Sequence, residues 1–398
     1  MSLARNVDLL RRLPRLDRGM DGLRLPDFGA SADSSSPLQE ITGFGDNPGA
    51  LRMFAFVPAQ LQKPRALVVV LHGCGQTAAA YDLGAGWSTL ARHYGFALVM
   101  PEQQRSNNGN TCFNWFNPDD TARDSGEAKS IREMIAHMVQ AHRIDPRRIY
   151  ITGLSAGGGM TSVMLATYPE VFAAGAIIAG LPYGIASNLR EALDGMFHSP
   201  ARPERELGDF VRRATDHRGP WPKVSVWHGS ADRTVNPGNA NEIVKQWLDL
   251  HDLPLTPMAE TNVDGYPRQA WWNRDGETLV ESYTITGMAH GTPLGLADND
   301  QRYGLEGAFL IEAGISSSYH IAKFFGLTGW IQEAKKKAEA KPAAPAKAVP
   351  VRPPAPHLAR TIRVKVAEEK AAPKREQASR FDLGQIITRA LTAAGLMK

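Results

Sequence analysis

Residues 147–168, RRIYITGLSAGGGMTSVMLATY, decide how this chain is built. The stretch 148–154 is rich in β-branched and aromatic side chains and reads as a buried strand. It runs straight into Ser155-Ala156-Gly157-Gly158-Gly159, and MTSVMLATY then continues as a helix. Strand, sharp turn and helix around G-x-S-x-G form an elbow that holds the serine hydroxyl up at the carboxyl end of its strand. Gly153 and Gly157 stand where neighbouring backbone crowds the serine. The helix that follows points its first amides at any negative charge that develops there. Ser155 is therefore the candidate nucleophile. The competing reading, a glycine-rich turn with an ordinary capping serine, leaves the flanking strand and helix unexplained.

Working outward, the apolar run LVVVLH ends in His72-Gly73-Cys74-Gly75-Gln76, a second strand end upstream of the elbow. Its position suits the other donor of an oxyanion hole, so the amides of Cys74 and Ala156 are the candidate pair. Glycines on both sides of Cys74 let the backbone approach a reacting carbonyl closely. His72 is read as a brace for this loop and not as a catalytic group. Downstream, KVSVWHG is followed by Ser230-Ala231-Asp232-Arg233-Thr234-Val235-Asn236-Pro237, which puts Asp232 in a loop ahead of a helix. LVESYTI is followed by Thr286-Gly287-Met288-Ala289-His290-Gly291, which puts His290 between small residues after another strand. Other histidines fit less well: His228 ends its strand too early, and His93, His137, His142, His251 and His320 fall at helical positions.

The chemistry follows from these types. A serine hydroxyl is a poor nucleophile at neutral pH, so His290 must accept its proton, and Asp232 must orient and stabilise the imidazolium. No H-E-x-x-H, Walker or dinucleotide signature is present, so neither metal nor organic cofactor is expected.

The chain has 398 residues and 43% hydrophobic content, enough for one large core. Short β-branched runs alternate with amphipathic stretches, which predicts a mostly parallel central sheet with helices on both faces. Strands are expected at 51–57, 66–72, 96–100, 148–153, 175–179, 223–228 and 279–285, and helices at 78–93, 127–142, 157–168, 238–251 and 315–325. The long polar segment 186–221 is read as a cap over the site. The catalytic domain is expected over 46–330, after a basic N-terminal segment and Ser/Gly/Pro-rich linker at 1–45. Residues 331–378, rich in Ala, Lys and Pro, are expected to be a disordered linker, and 379–398 a short amphipathic helix.

Charge is uneven along the chain. Residues 1–24 carry six Arg against three Asp, and 331–378 carry twelve Lys and Arg against five Glu, while 25–330 is net −8. Basic ends flanking an acidic body suit attachment to an anionic granule or membrane surface through the C-terminal tail. The alternative is a solvated tether, and a nucleic-acid partner is not expected. No apolar run reaches the roughly 18 residues of a membrane span. No secretory signal is recognisable, so a cytoplasmic location is expected. Two cysteines, Cys74 and Cys112, are too few for a disulfide framework or a thiolate zinc site and leave a single bridge open.

The segments LHGCGQ (71–76), PEQQRSNNGNTCFNWF (101–116), GLSAGGGMTSVMLATYPEVFAAGAIIAGLPYG (153–184), HGSADRTVNP (228–237) and GMAHGTP (287–293) resemble esterases of the poly(3-hydroxybutyrate) depolymerase family, an α/β-hydrolase family. The resemblance spans about residues 46–327 and omits both tails. It implies Ser155, Asp232 and His290 as triad and an oxyanion segment at His72, Gly73 and Cys74. The implied activity is hydrolysis of poly(3-hydroxybutyrate)-type or short hydroxyalkanoate esters through an acyl-enzyme. Feruloyl or acetylxylan esterase activity is the alternative within the family, and an inactive granule-binding protein the alternative outside it. Cys74 and Cys112 match the bridge of secreted relatives, which keeps an extracellular location open. Trp115, Gln76 and Trp272 are read as substrate contacts, because loop aromatics near strand ends suit an acyl or polymer groove.

Overall fold

The computed structural model describes residues 36–63 and 65–329. The stretch 1–35, the linker at 331–378 and the helix expected at 379–398 lie outside the described residues. In chain order the first half runs β1 (Gln39–Ile41), β2 (Arg52–Phe56), β3 (Leu67–Leu71), α1 (Ala78–Ala85), α2 (Trp87–Tyr94), β4 (Ala97–Glu102), α3 (Pro118–Thr121), α4 (Gly126–His142), β5 (Ile149–Leu154), α5 (Ala156–Thr167) and β6 (Ala174–Ile178). The second half runs α6 (Leu189–His198), α7 (Glu204–Ala214), β7 (Lys223–Gly229), α8 (Gly238–Leu250), β8 (Ala259–Val263), β9 (Tyr266–Trp272), β10 (Thr278–Ile285), β11 (Thr292–Leu294), β12 (Leu310–Glu312) and α9 (Ser317–Phe324).

Ten strands form one sheet in the order β1-β2-β4-β3-β5-β6-β7-β10-β9-β8. From β4 to β10 every pairing is parallel, and the antiparallel strands are confined to the two edges. Parallel strands need covering on both faces, and LVVVL of β3 shows how the sequence meets that demand. Leu67, Val69 and Leu71 pack into one layer with Ile131 and Met134 of α4, Met160 of α5 and Trp247 of α8. Val68 and Val70 point the other way, into a layer with Tyr81, Trp87 and Ile321 from α1, α2 and α9. All five residues of β3 are buried, as are all six of β5. The elbow serine is thus mounted on a central strand with no freedom to shift register.

Two expectations need correction and a third gains detail. The helix expected over 78–93 is two helices, broken at Gly86 with φ 78°, where a side chain would strike the backbone of Tyr303. The sheet begins earlier than 46, because Gln39–Ile41, inside the stretch read as linker, pairs antiparallel with β2. The segment 186–221, expected as a cap, is largely helical. It carries α6 and α7, with Leu207 and Val211 fully buried, and Gln246 of α8 donates to Leu207 O at 2.9 Å.

Candidate active site

Ser155 follows the last residue of β5 and adopts φ 58°, ψ −117°, a conformation that β-carbon sterics disfavour for any residue but glycine. The surroundings hold it there. Its amide donates to Ile178 O at the end of β6 at 2.9 Å, and its carbonyl accepts from Gly159 N at 2.8 Å. A side chain on Gly157 would lie 2.5 Å from the carbonyl oxygens of Leu71 and His72, and one on Gly153 would strike the backbone of Gly157. The elbow closes against the end of β3 only because both positions lack a β-carbon.

The loop after β3 is fastened on several sides. His72 is fully buried; its Nδ1 lies 2.8 Å from Gly73 O, and its Nε2 accepts from Gln103 N at 3.1 Å. That arrangement requires the Nδ1–H tautomer. Burial pushes the imidazole down to about 4, so it stays neutral at ordinary pH, and the brace role read from the sequence fits this geometry. Cys74 and Cys112 are joined by a disulfide, which ties this loop to the segment after β4. The amide of Gly73 donates to Gln76 Oε1 at 2.9 Å and the amide of Gly75 to Asn110 O at 2.8 Å. Between them, the Cys74 amide has no acceptor among the described residues.

Asp232 and His290 meet directly, with His290 Nδ1 2.7 Å from Asp232 Oδ2. Their loops are laced before they meet: Ser230 N donates to Ile285 O at 3.0 Å, Ala231 N to Met288 O at 3.0 Å, and Gly287 N to Ser230 Oγ at 2.9 Å. Because a carboxylate only accepts, Nδ1 carries the proton, and Nε2 is left as the nitrogen able to act as a base. The other carboxylate oxygen accepts from Thr234 N at 2.8 Å and Val235 N at 2.9 Å. Burial alone would raise this carboxyl, yet the hydrogen bonds from His228 and His290 outweigh it and hold Asp232 well below the usual carboxylate range. His228, which the sequence does not offer as a base, is the penultimate residue of β7 and lies 3.2 Å from Asp232 Oδ2, a contact the sequence reading does not contain. The available signal was spacing, since a residue at the strand end four before the acid lies beside the turn that carries it.

Ser155, Asp232 and His290 all follow the carboxyl ends of strands, β5, β7 and β10, on one rim of the sheet. A chain of contacts runs along that rim from His290 to the loop after β3. The His290 ring meets Phe309 edge-on at 5.7 Å, and the neighbouring Ala308 O accepts from Gln76 Nε2 at 3.1 Å. Gln76, read as a substrate contact, has its amide engaged at both ends with Gly73 and Ala308 and is a brace between the two loops. Trp272 is also corrected. It pairs with Thr278 at the amino end of β10, the rim opposite Ser155, Asp232 and His290, so the tryptophan pair 271–272 cannot line a site there. Trp115 lies over the first turn of α5, where a side chain on Gly159 would come within 2.7 Å of its ring. Ala156, whose amide opens α5, stands at the position the elbow requires.

Residues 53–259 match the profile of the family described as "Esterase PHB depolymerase". The chain belongs to this family. Poly(3-hydroxyalkanoate) depolymerase C of Paucimonas lemoignei is 46% identical over 300 residues, covering 75% of this chain and 72% of that protein. Feruloyl esterase B of Neurospora crassa is 33% identical over 292 residues, covering 70% of this chain and 95% of its own. An acetyl xylan esterase structure from Aspergillus awamori superposes with TM-score 0.61 at 24% identity, covering 73% of this chain and 99% of that one, which shows the shared α/β-hydrolase fold. As a member of the PHB depolymerase esterases, the protein is a serine carboxylic-ester hydrolase. Among the described residues, no helix is long and apolar enough to cross a membrane.

Proposed function

We propose that this esterase cleaves poly(3-hydroxyalkanoate)-type or short hydroxyalkanoate esters through an acyl-enzyme on Ser155. The observation that carries the mechanism is the 2.7 Å bond between His290 Nδ1 and Asp232 Oδ2 on the rim that bears the strained serine. Ser155 Oγ attacks the ester carbonyl carbon while His290 Nε2 takes its proton, and Asp232 stabilises the imidazolium. The oxyanion rests on the amides of Cys74 and Ala156, and the alcohol departs with the proton from His290. His290 then takes a proton from water as the water oxygen attacks the acyl carbon, and the bond to Ser155 Oγ breaks as His290 returns that proton to Oγ, which releases the acid and restores the enzyme. Losing one oxyanion donor typically costs on the order of 10²–10³ in turnover.

The substrate class rests on the Paucimonas relative, at 46% identity. Trp115 is the proposed wall of the acyl site. The feruloyl and acetylxylan esterases at 33% and 34% identity favour a second reading, in which the acyl group is aromatic or the alcohol a sugar. Purified enzyme assayed on hydroxybutyrate oligomers, methyl ferulate and acetylated xylan separates the two, with oligomers expected to give the highest kcat/KM. Ser155→Ala is expected to lose on the order of 10⁴-fold or more on every substrate. Retained activity would remove the mechanism. The Cys74–Cys112 bond supports work in an oxidising compartment, against the cytoplasmic expectation, and thiol titration of enzyme from its native source tests it. Granule attachment through 331–398 is tested by sedimentation with and without those residues.

A further inference from the structure

A second imidazole touches the acid. His228, the penultimate residue of β7, is buried, and its Nε2 lies 3.0 Å from Val235 O and 3.2 Å from Asp232 Oδ2. Its Nδ1 is buried with no hydrogen-bond partner among the described residues. These two facts fix the proton. Were it on Nδ1, a buried N–H would go unsatisfied, and a bare Nε2 lone pair would face two oxygens. With the proton on Nε2, one N–H is shared between a carbonyl and a carboxylate, and only a weak acceptor is left dry. A doubly protonated ring would strand the Nδ1–H and set a second cation beside the imidazolium that forms during catalysis.

We propose that His228 is a positioning residue of this esterase, a neutral Nε2–H donor that fixes the Asp232 carboxylate oxygen used by His290. The inference rests on the triad reading above. Asp232 then has four donors, two amides on Oδ1 and two imidazoles on Oδ2, and the carboxylate cannot rotate without breaking at least two of them. The titratable groups on this carboxylate are His228 from the end of β7 and His290 from the loop after β10, while Arg233, next in the chain, is exposed. The same N–H draws charge from the oxygen that faces His290. Its removal leaves a stronger negative charge there, which favours the imidazolium.

Full-length enzyme with His228→Leu and with His228→Gln, assayed on p-nitrophenyl butyrate across pH, tests this. Glutamine carries an N–H donor at about the position of Nε2. His228→Leu is expected to lower kcat roughly tenfold with KM within about twofold, and to move the acidic limb of kcat/KM toward higher pH by about half a pH unit. His228→Gln is expected to restore the limb and most of the turnover. A limb that stays in place in His228→Leu, or a glutamine variant no better than leucine, overturns the proposal, since a purely structural residue would change amount and stability alone. Should His228→Leu fail to fold, histidine ¹⁵N NMR of the wild type decides: a neutral Nε2–H tautomer supports the proposal, and an Nδ1–H tautomer sinks it. Activity surviving in Ser155→Ala would instead remove the triad reading beneath it, so the two failures are distinguishable.

Discussion

Two buried carboxyls flank this site and behave in opposite ways. Asp232 is held well below the usual range, and Glu127, in the first turn of α4, is pushed up to about 8. Burial acts upward on both. What differs is the donors. Glu127 accepts from two neutral amides, Gln103 Nε2 at 2.5 Å and Asn114 N at 2.9 Å, and the charge of Asp120 raises it further. Asp232 accepts from two amides and two imidazoles, one of which becomes a cation in the proposed mechanism. A buried acid is thus kept ionised by the number and kind of its donors, and depth alone does not decide its state. The contrast separates the carboxylate proposed for the chemistry from one whose donors lie in the segment after β4. Gln103, which donates to Glu127, also donates to Cys112 O and through its backbone to His72.

The largest expected effect breaks or keeps that division. Asp232→Asn preserves shape but offers an amide where His290 needs an acceptor, which favours the wrong tautomer, and kcat should fall by roughly 10⁴. Glu127→Gln should leave kcat within about threefold. Equal losses in the two variants, measured on one soluble ester, would show that Glu127 takes part in the chemistry and would end the comparison as drawn.

How far this contrast was legible beforehand depends on the residues concerned. The elbow was readable because Gly153 and Gly157 mark backbone crowding and a run of buried β-branched residues marks a central strand. The candidates for acid and base came from loops after later strands, taken in the chain order that the elbow's fold implies. The β8–β9 hairpin was missed because AETNV is an edge strand whose side chains mostly face solvent, so no apolar period announces it. Its turn was nonetheless written in the sequence: Asp264-Gly265, at φ 51° and 90°, is the two-residue hairpin signal. Without that hairpin Trp272 reads as a groove-lining aromatic, whereas it closes β9. Helices α6 and α7 were hidden by exposed polar faces in a stretch read as cap. Glu127 was illegible because its partners Gln103 and Asn114 lie on another stretch of chain and no local pattern reports them, whereas for His228 the only hint was its spacing four residues before Asp232.

A smaller effect tests the scaffold side of the comparison. Replacing both Cys74 and Cys112 by Ser removes a link across a sequence separation of 38 residues, and about 2–4 kcal/mol of stability should go with it. The Cys74 amide keeps its other fastenings through Gly73, Gly75 and His72, so kcat should drop no more than about tenfold. Thermal unfolding and turnover of the double variant check this. A loss as deep as that of Asp232→Asn would mean that the bridge alone aims the oxyanion donor.

The smallest effect is the most direct probe of Glu127 itself. Its folded value of about 8 lies above the ordinary 4.5, so the native state keeps a proton that the unfolded chain has released. The associated stability is fully present below about 4.5, declines as pH rises, and is gone above about 8. Two buried histidines, His72 and His251, pushed down to about 4 by burial, act in the opposite sense, but only below the ordinary 6.5. The interval from about 6.5 to 8 lies clear of these histidines, and Asp82 and Glu281, also raised by burial, are common to both proteins and cancel in a difference between variant and wild type. Glutamine has no proton to release there, although its amide N–H₂ must face a donor at Asn114 or Gln103, which imposes a penalty independent of pH. Subtracting wild-type Tm from that of Glu127→Gln at each pH separates the two contributions: the constant penalty sets the offset, and titration sets the slope. The difference should grow in the variant's favour by on the order of a few degrees across that interval. Two parallel curves would show that Glu127 is already ionised at pH 6.5, and that two amide donors suffice to do for it what the imidazoles do for Asp232.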